Sequence, residues 1–317
     1  MSAVAERLRA AFGERVQAQV PLARYTSFRV GGPAEWLMRV DSVEELVEAV
    51  ELARELGLPC RVLGGGSNVL PSDTGVRGLV LINRARGRTI EGEGDTRTLV
   101  AESGVSLPRL AGELAKEGIA GMEWGIGVPG TVGGAVVQNA GAWGVETKDC
   151  LLWAELLTRP DNTVERWPVE RLDFGYRHSA LLDQPSQARP VVLRAAFRVH
   201  PDDPETVVAR TARYRNQRTA SQPRAASGGS TFRNPPGDYA GRLIEAAGLK
   251  GHRIGGAQFS PKHANFIVHD GEATAEDIRQ LMALARRTVA ERFGVELQLE
   301  VELIGEWTEQ TETETIR

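Results

Sequence analysis

LGGGSNVL, residues 63–70, ends a short apolar run, PCRVL (59–63), and enters three consecutive glycines, Gly64, Gly65 and Gly66, then Ser67 and Asn68. A glycine turn placed directly after a buried strand exposes backbone N–H groups, and two polar side chains add donors, so the stretch suits a phosphate. No Gly-Lys-Ser/Thr follows, which excludes a Walker loop, and Val69 stands where the last glycine of a Rossmann fingerprint belongs. An anion cradle and a tight turn account for the stretch equally well.

The flanks of this loop set the fold class. Upstream, Ser42 to Glu45 reads as a capping box opening a helix, with Val43, Leu46, Val47, Val50 and Leu56 at helical spacing and Gly57 closing it. Before it FRVGGPAEWLMRV (28–40) reads as extended; after the loop, GLVLI (78–82) reads as a strand. A second unit runs from the strand TLVAESGVSL (98–107) through a helix around PRLAGELAKEG (108–118) to strands near 150–158, 163–169 and 190–199. Asp203-Pro204 starts another helix, and RYRNQRTASQPRAASGG (213–229) follows like a linker. Beyond lie a helix at 238–248, a strand at HANFIVH (263–269), a helix capped by Thr274 and Asp277, an alternating strand VELQLEVELIGEW (295–307) and a solvated tail, TEQTETETIR (308–317).

The second glycine-rich stretch, GVPGTVGGAVVQNAGAWG (127–144), strengthens the phosphate reading. A Gly-Pro-Gly-type turn entering a small-residue helix brings a helix N-terminus within reach of a diphosphate. The candidates in it are Gly127, Pro129, Gly130, Thr131, Gly133, Gly134, Asn139 and Gly141. Two such loops on one α/β body suggest a single extended dinucleotide.

Composition narrows the class. The chain has 317 residues, 41% hydrophobic and 25% charged, which is ordinary for a globular protein of two or three lobes. A net charge of −4 argues against general affinity for nucleic acid or anionic membrane. The N-terminal MSAVAERLRAAFGERVQ reads as an amphipathic helix without a signal peptide, pointing to the cytoplasm. Two cysteines, Cys60 and Cys150, form no metal or redox motif, and no metal is expected.

In GGSTFRNP (228–235), Ser230 follows two glycines that permit close backbone approach. A nucleophilic serine needs an oriented base, and the five histidines offer no recognisable arrangement, so the hydroxyl is read as giving a proton away.

TSFRVGGPA (26–34), LGGGSNVL, GVPGTVGGAVVQNAGAWG, FGYRHS (174–179) and GGSTFRNP, in that order across nearly the whole chain, closely resemble the UDP-N-acetylenolpyruvoylglucosamine reductases. The resemblance implies an α+β protein: a two-lobed FAD-binding domain of the vanillyl-alcohol-oxidase type over 1–200 (lobes about 20–86 and 87–200), then a smaller substrate-binding domain over 201–317. It implies FAD and NADPH as cofactors, with Arg29 of the first motif joining the two glycine loops in the flavin site. Tyr176 and Arg177 are implied at the substrate carboxylate, Ser230 as proton donor, and Asn234 at the substrate. The family's Leu-Glu-Pro-Glu-Val reads here Leu297-Gln298-Leu299-Glu300-Val301, which assigns its second glutamate to Glu300; Glu302 lies one strand period away on the same face. Arg218 and Lys262 are candidate phosphate partners. Arg177 and Ser230 are 53 positions apart (230 minus 177), matching the shorter, type II subgroup. The implied reaction is NADPH-dependent reduction of UDP-N-acetylglucosamine enolpyruvate to UDP-N-acetylmuramate for peptidoglycan, by a monomer. Another flavin oxidoreductase of this fold and a catalytically silent flavin-binding module are the alternatives.

Overall fold

The computed structural model describes residues 3–159 and 161–307; the tail 308–317, read above as solvated, lies outside them. By contacts the chain forms two units, one of residues 1–17, 37–65 and 78–218, the other of residues 18–36, 66–77 and 219–317.

In the first unit, helix Ala3–Phe12 buries Ala5, Leu8 and Phe12, the stripe its amphipathic sequence predicts. Ser42 Oγ accepts from the Glu45 N–H at 3.1 Å and opens helix Val43–Glu55. The reciprocal bond goes one residue upstream: the Glu45 carboxylate accepts from Asp41 N–H at 2.9 Å and pairs with Arg15 at 2.6 Å. Both hold the Glu45 carboxyl below its usual range. The helix buries Val43, Leu46, Ala49, Val50 and Ala53, so small alanines share the core face with the branched residues, while Val47 and Leu56 stay half-buried. Gly57 at φ +63° ends it, its N–H on the Arg54 carbonyl.

Strand Cys60–Leu63 then pairs in parallel with Val76–Asn83, Cys60 opposite Leu79 and Leu63 opposite Ile82. An antiparallel sheet carries the rest of the unit in the order Val164–Pro168, Leu151–Leu157, Val191–Pro201, Arg97–Glu102, Arg88–Glu91. Helix Leu107–Lys116 buries Leu107, Leu110 and Leu114 in the same core as Ala154, Leu156, Ala195 and Phe197. Helix Pro204–Ser221 is capped by the Asp203 carboxylate, which accepts from Thr206 N–H at 2.8 Å. It extends through much of the segment expected to be a linker. Only Val207 and Thr211 of this helix are buried, so it carries almost no apolar period to read.

The second unit buries Phe28, Leu70, Phe232, Ile244, Phe259, Ile267, Ile278, Leu281, Val289 and Leu297 together. The 274–277 box forms in both directions at 3.0 Å, and the Asp73 carboxylate accepts two further N–H bonds, from Ala275 and Glu276, at 2.9 Å each. The expected strand over 295–307 is shorter, Glu302–Ile304, parallel to Val69–Pro71. Leu299 bridges Phe232 instead, and the change of partner between Leu299 and Glu302 breaks the ladder. Residues 28–32 likewise leave the extended region, with Arg29 at φ +57° and Gly31 at φ +115°, so that strand starts at Pro33.

Candidate active site

In the first unit the two glycine loops meet backbone to backbone. A Cβ on Gly64 would lie 2.1 Å from Thr131 Oγ1, and one on Gly65 would lie 2.9 Å from the Gly130 Cα. Leu107 N–H donates to Gly130 O at 3.1 Å, and Thr131 bridges Ser106. Helix Val132–Gln138 follows, but two of its first donors are already used: Val132 N–H goes to Val105 O and Gly133 N–H to Ser103 O, both at 2.9 Å. Gly133 is small because Ser103 lies against it, a Cβ there reaching the Ser103 Cβ at 2.9 Å. Gly134 differs: a Cβ would meet only Thr131 Oγ1, at 3.9 Å. This cradle of glycine backbone and one threonine hydroxyl fits a diphosphate-bearing cofactor, with Gly64, Gly65, Thr131 and Gly134 as the residues that would hold it.

Gly127 packs under the Trp143 indole, where a Cβ would come within 2.0 Å of the ring. Trp143 itself sits at φ +54° and packs against Tyr214 at 5.3 Å between ring centroids. Arg218 donates to the Gly127 carbonyl, and burial lowers the pKa of its guanidinium. Pro129, between them, leaves no backbone N–H to satisfy.

Arg177 is held on the same unit. Its Nη2 donates to Gly141 O at 2.9 Å, its Nη1 to Asn139 O at 3.5 Å, and Nη1 lies 3.6 Å from the Glu146 carboxylate. Asn139 is fully buried in the left-handed region at φ 42°. Its carboxamide is spent on Glu146 (3.0 Å), Gly175 O (2.8 Å) and Lys148 N–H (3.0 Å). Asn139 therefore organises the Arg177 loop, and Gly141 must be glycine because a Cβ would lie 2.4 Å from Val145 O. Tyr176 is 47% exposed, its ring 5.1 Å from the Arg177 guanidinium carbon.

The second unit gathers three of the motifs. Ser27 N–H donates to Gly66 O at 2.9 Å, and Gly66, at φ +61°, has no room for a Cβ beside Tyr25 O. Arg29 is exposed in this turn. Asn68 follows Ser67, and its Nδ2 donates to Glu300 O at 2.9 Å while its own carbonyl accepts from Glu302 N–H at 3.0 Å. Glu300 N–H in turn donates to Thr231 O at 2.9 Å, which sets Glu300 beside the residue after Ser230. Gly229 precedes Ser230 at φ +83°, and the Phe28 ring fills the place where a Gly228 side chain would be. Asn234 Oδ1 accepts from Ala240 N–H at 3.1 Å, six residues on. Lys262 Nζ donates to Thr219 O at 2.7 Å and Gln222 O at 2.8 Å.

Among the described residues no group of three or more His, Cys, Asp or Glu could hold a metal, and no helix is long and apolar enough to cross a membrane. Burial pushes the Cys60 thiol up to about 11 and the Cys150 thiol up to about 12, which keeps both protonated.

The sequence reading did not single out Glu146, which faces Arg177, or Trp143, which covers Gly127. Trp143 and Glu146 belong to the stretch from Gly141, where a charged side chain closing a glycine hairpin was the available signal.

Residues 34–167 match the family model described as FAD binding domain, and residues 222–304 match that of the UDP-N-acetylenolpyruvoylglucosamine reductase C-terminal domain. Together with the glycine cradle these define an FAD-containing oxidoreductase. A UDP-N-acetylenolpyruvoylglucosamine reductase of Rubrobacter xylanophilus is 51% identical over 288 residues, 90% of this chain and 94% of that one. One of Chloroflexus aggregans is 44% identical over 286 residues, covering 90% and 96%. The crystal structure of the Thermus caldophilus enzyme (MurB) superposes with a TM-score of 0.76 at 38% identity, over 92% of this chain and 99% of that one. The chain belongs to the UDP-N-acetylenolpyruvoylglucosamine reductase family.

Proposed function

We propose that this protein reduces UDP-N-acetylglucosamine enolpyruvate to UDP-N-acetylmuramate, with NADPH as reductant, in the cytoplasm and as a monomer. In this reading residues 1–200 serve the cofactor and 201–317 the substrate. FAD, when bound, supplies the hydride drawn from NADPH. Reduction of the enolpyruvyl double bond leaves negative charge on the carbon beside the carboxylate, costly unless fixed positive charge faces it. Arg177 carries that charge: its anchors on the Gly141 and Asn139 carbonyls orient a planar fork suited to a carboxylate. Glu300, as a neutral carboxylic acid, donates a hydrogen bond to the same anion. Ser230 then gives its hydroxyl proton to the carbon, a strong base by comparison with what an alcohol ordinarily meets. Tyr176 and Asn234 contact substrate, and Arg218 and Lys262 its phosphates.

The observation that supports these roles best is the Glu300 N–H bond to Thr231 O, which ties the proposed acid residues Ser230 and Glu300 to one backbone framework. The test is anaerobic: bound flavin is reduced with NADPH, then the enolpyruvyl substrate is added and reoxidation followed. Reoxidation by that substrate is expected; flavin that stays reduced would leave a silent flavin-binding module. Flavin reduced by a simple alcohol without NADPH would favour another oxidoreductase of this fold.

A further inference from the structure

Asn265 is 3% exposed, and its carboxamide is given wholly to one residue 33 positions away. Oδ1 accepts from Phe232 N–H at 3.0 Å, and Nδ2 donates to Phe232 O at 2.8 Å. The orientation of the amide follows from its partners, because a backbone N–H only donates and a carbonyl only accepts. The side chain thus copies the exchange of two bonds that an antiparallel strand would make with Phe232. The main chain of Asn265 adds a third bond, its carbonyl accepting from Thr231 N–H at 2.8 Å.

On the other side of the same segment Glu300 N–H meets Thr231 O and Arg233 N–H meets Gln298 O, both at 2.9 Å. Every backbone N–H and C=O from Thr231 N to Arg233 N is thereby bonded. Immediately upstream Gly229, at φ +83° with nothing within 4 Å of its would-be Cβ, provides no side-chain anchor. Ser230 lies between that glycine and the clamp. A buried amide costs several kcal/mol without partners and brings little apolar gain, so packing alone does not explain an asparagine here.

We propose that Asn265 is a positioning residue for proton transfer, fixing Ser230 through its two-bond clamp on Phe232. This rests on the reading of Ser230 as proton donor. Removing the clamp frees residues 230–232 to move, and a misplacement of about 1 Å at a reacting group costs about 10²-fold in rate. Since the residue acts only through Ser230, its loss costs nothing once the hydroxyl is gone.

The test uses the FAD-loaded full chain and the variants Asn265→Ala, Ser230→Ala and the two combined. Single-turnover reoxidation by the enolpyruvyl substrate gives the rate, and perturbation of the oxidised flavin spectrum gives substrate affinity. Asn265→Ala is expected to lose about 10- to 10²-fold in reoxidation with substrate affinity kept and a larger solvent isotope effect, as misplaced proton transfer becomes limiting. The double variant is expected to match Ser230→Ala within about twofold. Asn265→Asp, which keeps the acceptor half of the clamp, is measured alongside. In its protonated form the new carboxyl restores the donor half, so its reoxidation should rise as pH falls. Equal losses from Asn265→Ala with and without the Ser230 hydroxyl would overturn the proposal, as would a wild-type rate or failure of both Asn265 variants to fold. A wild-type rate in Ser230→Ala alone would instead remove the proton-donor reading.

Discussion

Arg177 Nη2 donates to the carbonyl oxygen of Gly141 at 2.9 Å, from a residue whose own backbone sits at φ +53°. The guanidinium is therefore placed by its loop before any substrate arrives, with the Glu146 carboxylate 3.6 Å from Nη1. Lysine carries the same charge on a flexible stem, and one ammonium cannot keep the Gly141 and Asn139 bonds and also form a fork on a carboxylate. Arg177→Lys should keep its flavin and its reduction by NADPH, while reoxidation by substrate falls about 10²-fold, the scale of a lost transition-state donor. Wild-type turnover in stopped-flow reoxidation would place Arg177 outside the chemistry.

Gly64 makes a sterically defined prediction. Its missing Cβ would stand 2.1 Å from Thr131 Oγ1 and 3.1 Å from the Thr131 Cβ, so Gly64→Ala must push the two loops apart. Overpacking of this kind costs about 1–3 kcal/mol. Weaker flavin retention is expected in dialysis and a lower midpoint in thermal melts. Thr131→Gly in the same chain removes the obstructing side chain and should recover part of the thermal loss. No recovery would mean that the clash is not the cause.

The parts of this site that were legible are those where the backbone itself dictates the residue. Gly64, Gly66, Gly127 and Gly141 each lie where a Cβ would strike a neighbour, and glycine runs beside apolar strands announce such positions. The Ser42 and Thr274 caps were equally local, the bond closing within three residues. Asn265 was not legible: its partners lie 33 positions away, and nothing in HANFIVH distinguishes a clamp from a polar strand residue. Lys262 and Asn234 show the same limit from the other side. Their residue types suited a substrate, but no local pattern announced the protein partners these side chains also have, the Thr219 and Gln222 carbonyls for Lys262 and the Ala240 N–H for the Asn234 oxygen. The helix through 213–221 escaped because its exposed arginines and polar residues carry no buried period.

His263 makes the stability of the second unit sensitive to acid. Burial holds its pKa below the ordinary 6.5, with Lys250 lowering it further and a backbone hydrogen bond and Glu245 opposing. Its Nδ1 accepts from Asn265 N–H at 3.3 Å, a bond that protonation there would remove. Below 6.5 the unfolded chain takes up a proton that the folded ring resists. The contribution is thus fully present above that value and is lost as pH falls toward the folded pKa. Denaturant melts from about pH 7 to about pH 5 should show the wild type losing more stability than His263→Gln. Parallel losses in the two proteins would refute the assignment.

Ser230 bears the most specific expectation, because the role proposed for its hydroxyl falls in only one half of the catalytic cycle. The residue that follows is held independently of the side chain, Thr231 N–H on Asn265 O and Thr231 O on Glu300 N–H. Ser230→Ala therefore keeps the loop, and with it flavin binding and reduction by NADPH at near-normal rate. Only reoxidation by the enolpyruvyl substrate should collapse, by about 10²- to 10⁴-fold for a lost positioned acid. Substrate affinity, read from the oxidised flavin spectrum of the same variant, separates the explanations. Affinity kept with reoxidation lost is the signature of proton donation. Equal loss of both would make Ser230 a turn residue whose hydroxyl shapes the loop, and reoxidation at the wild-type rate would take it out of the mechanism.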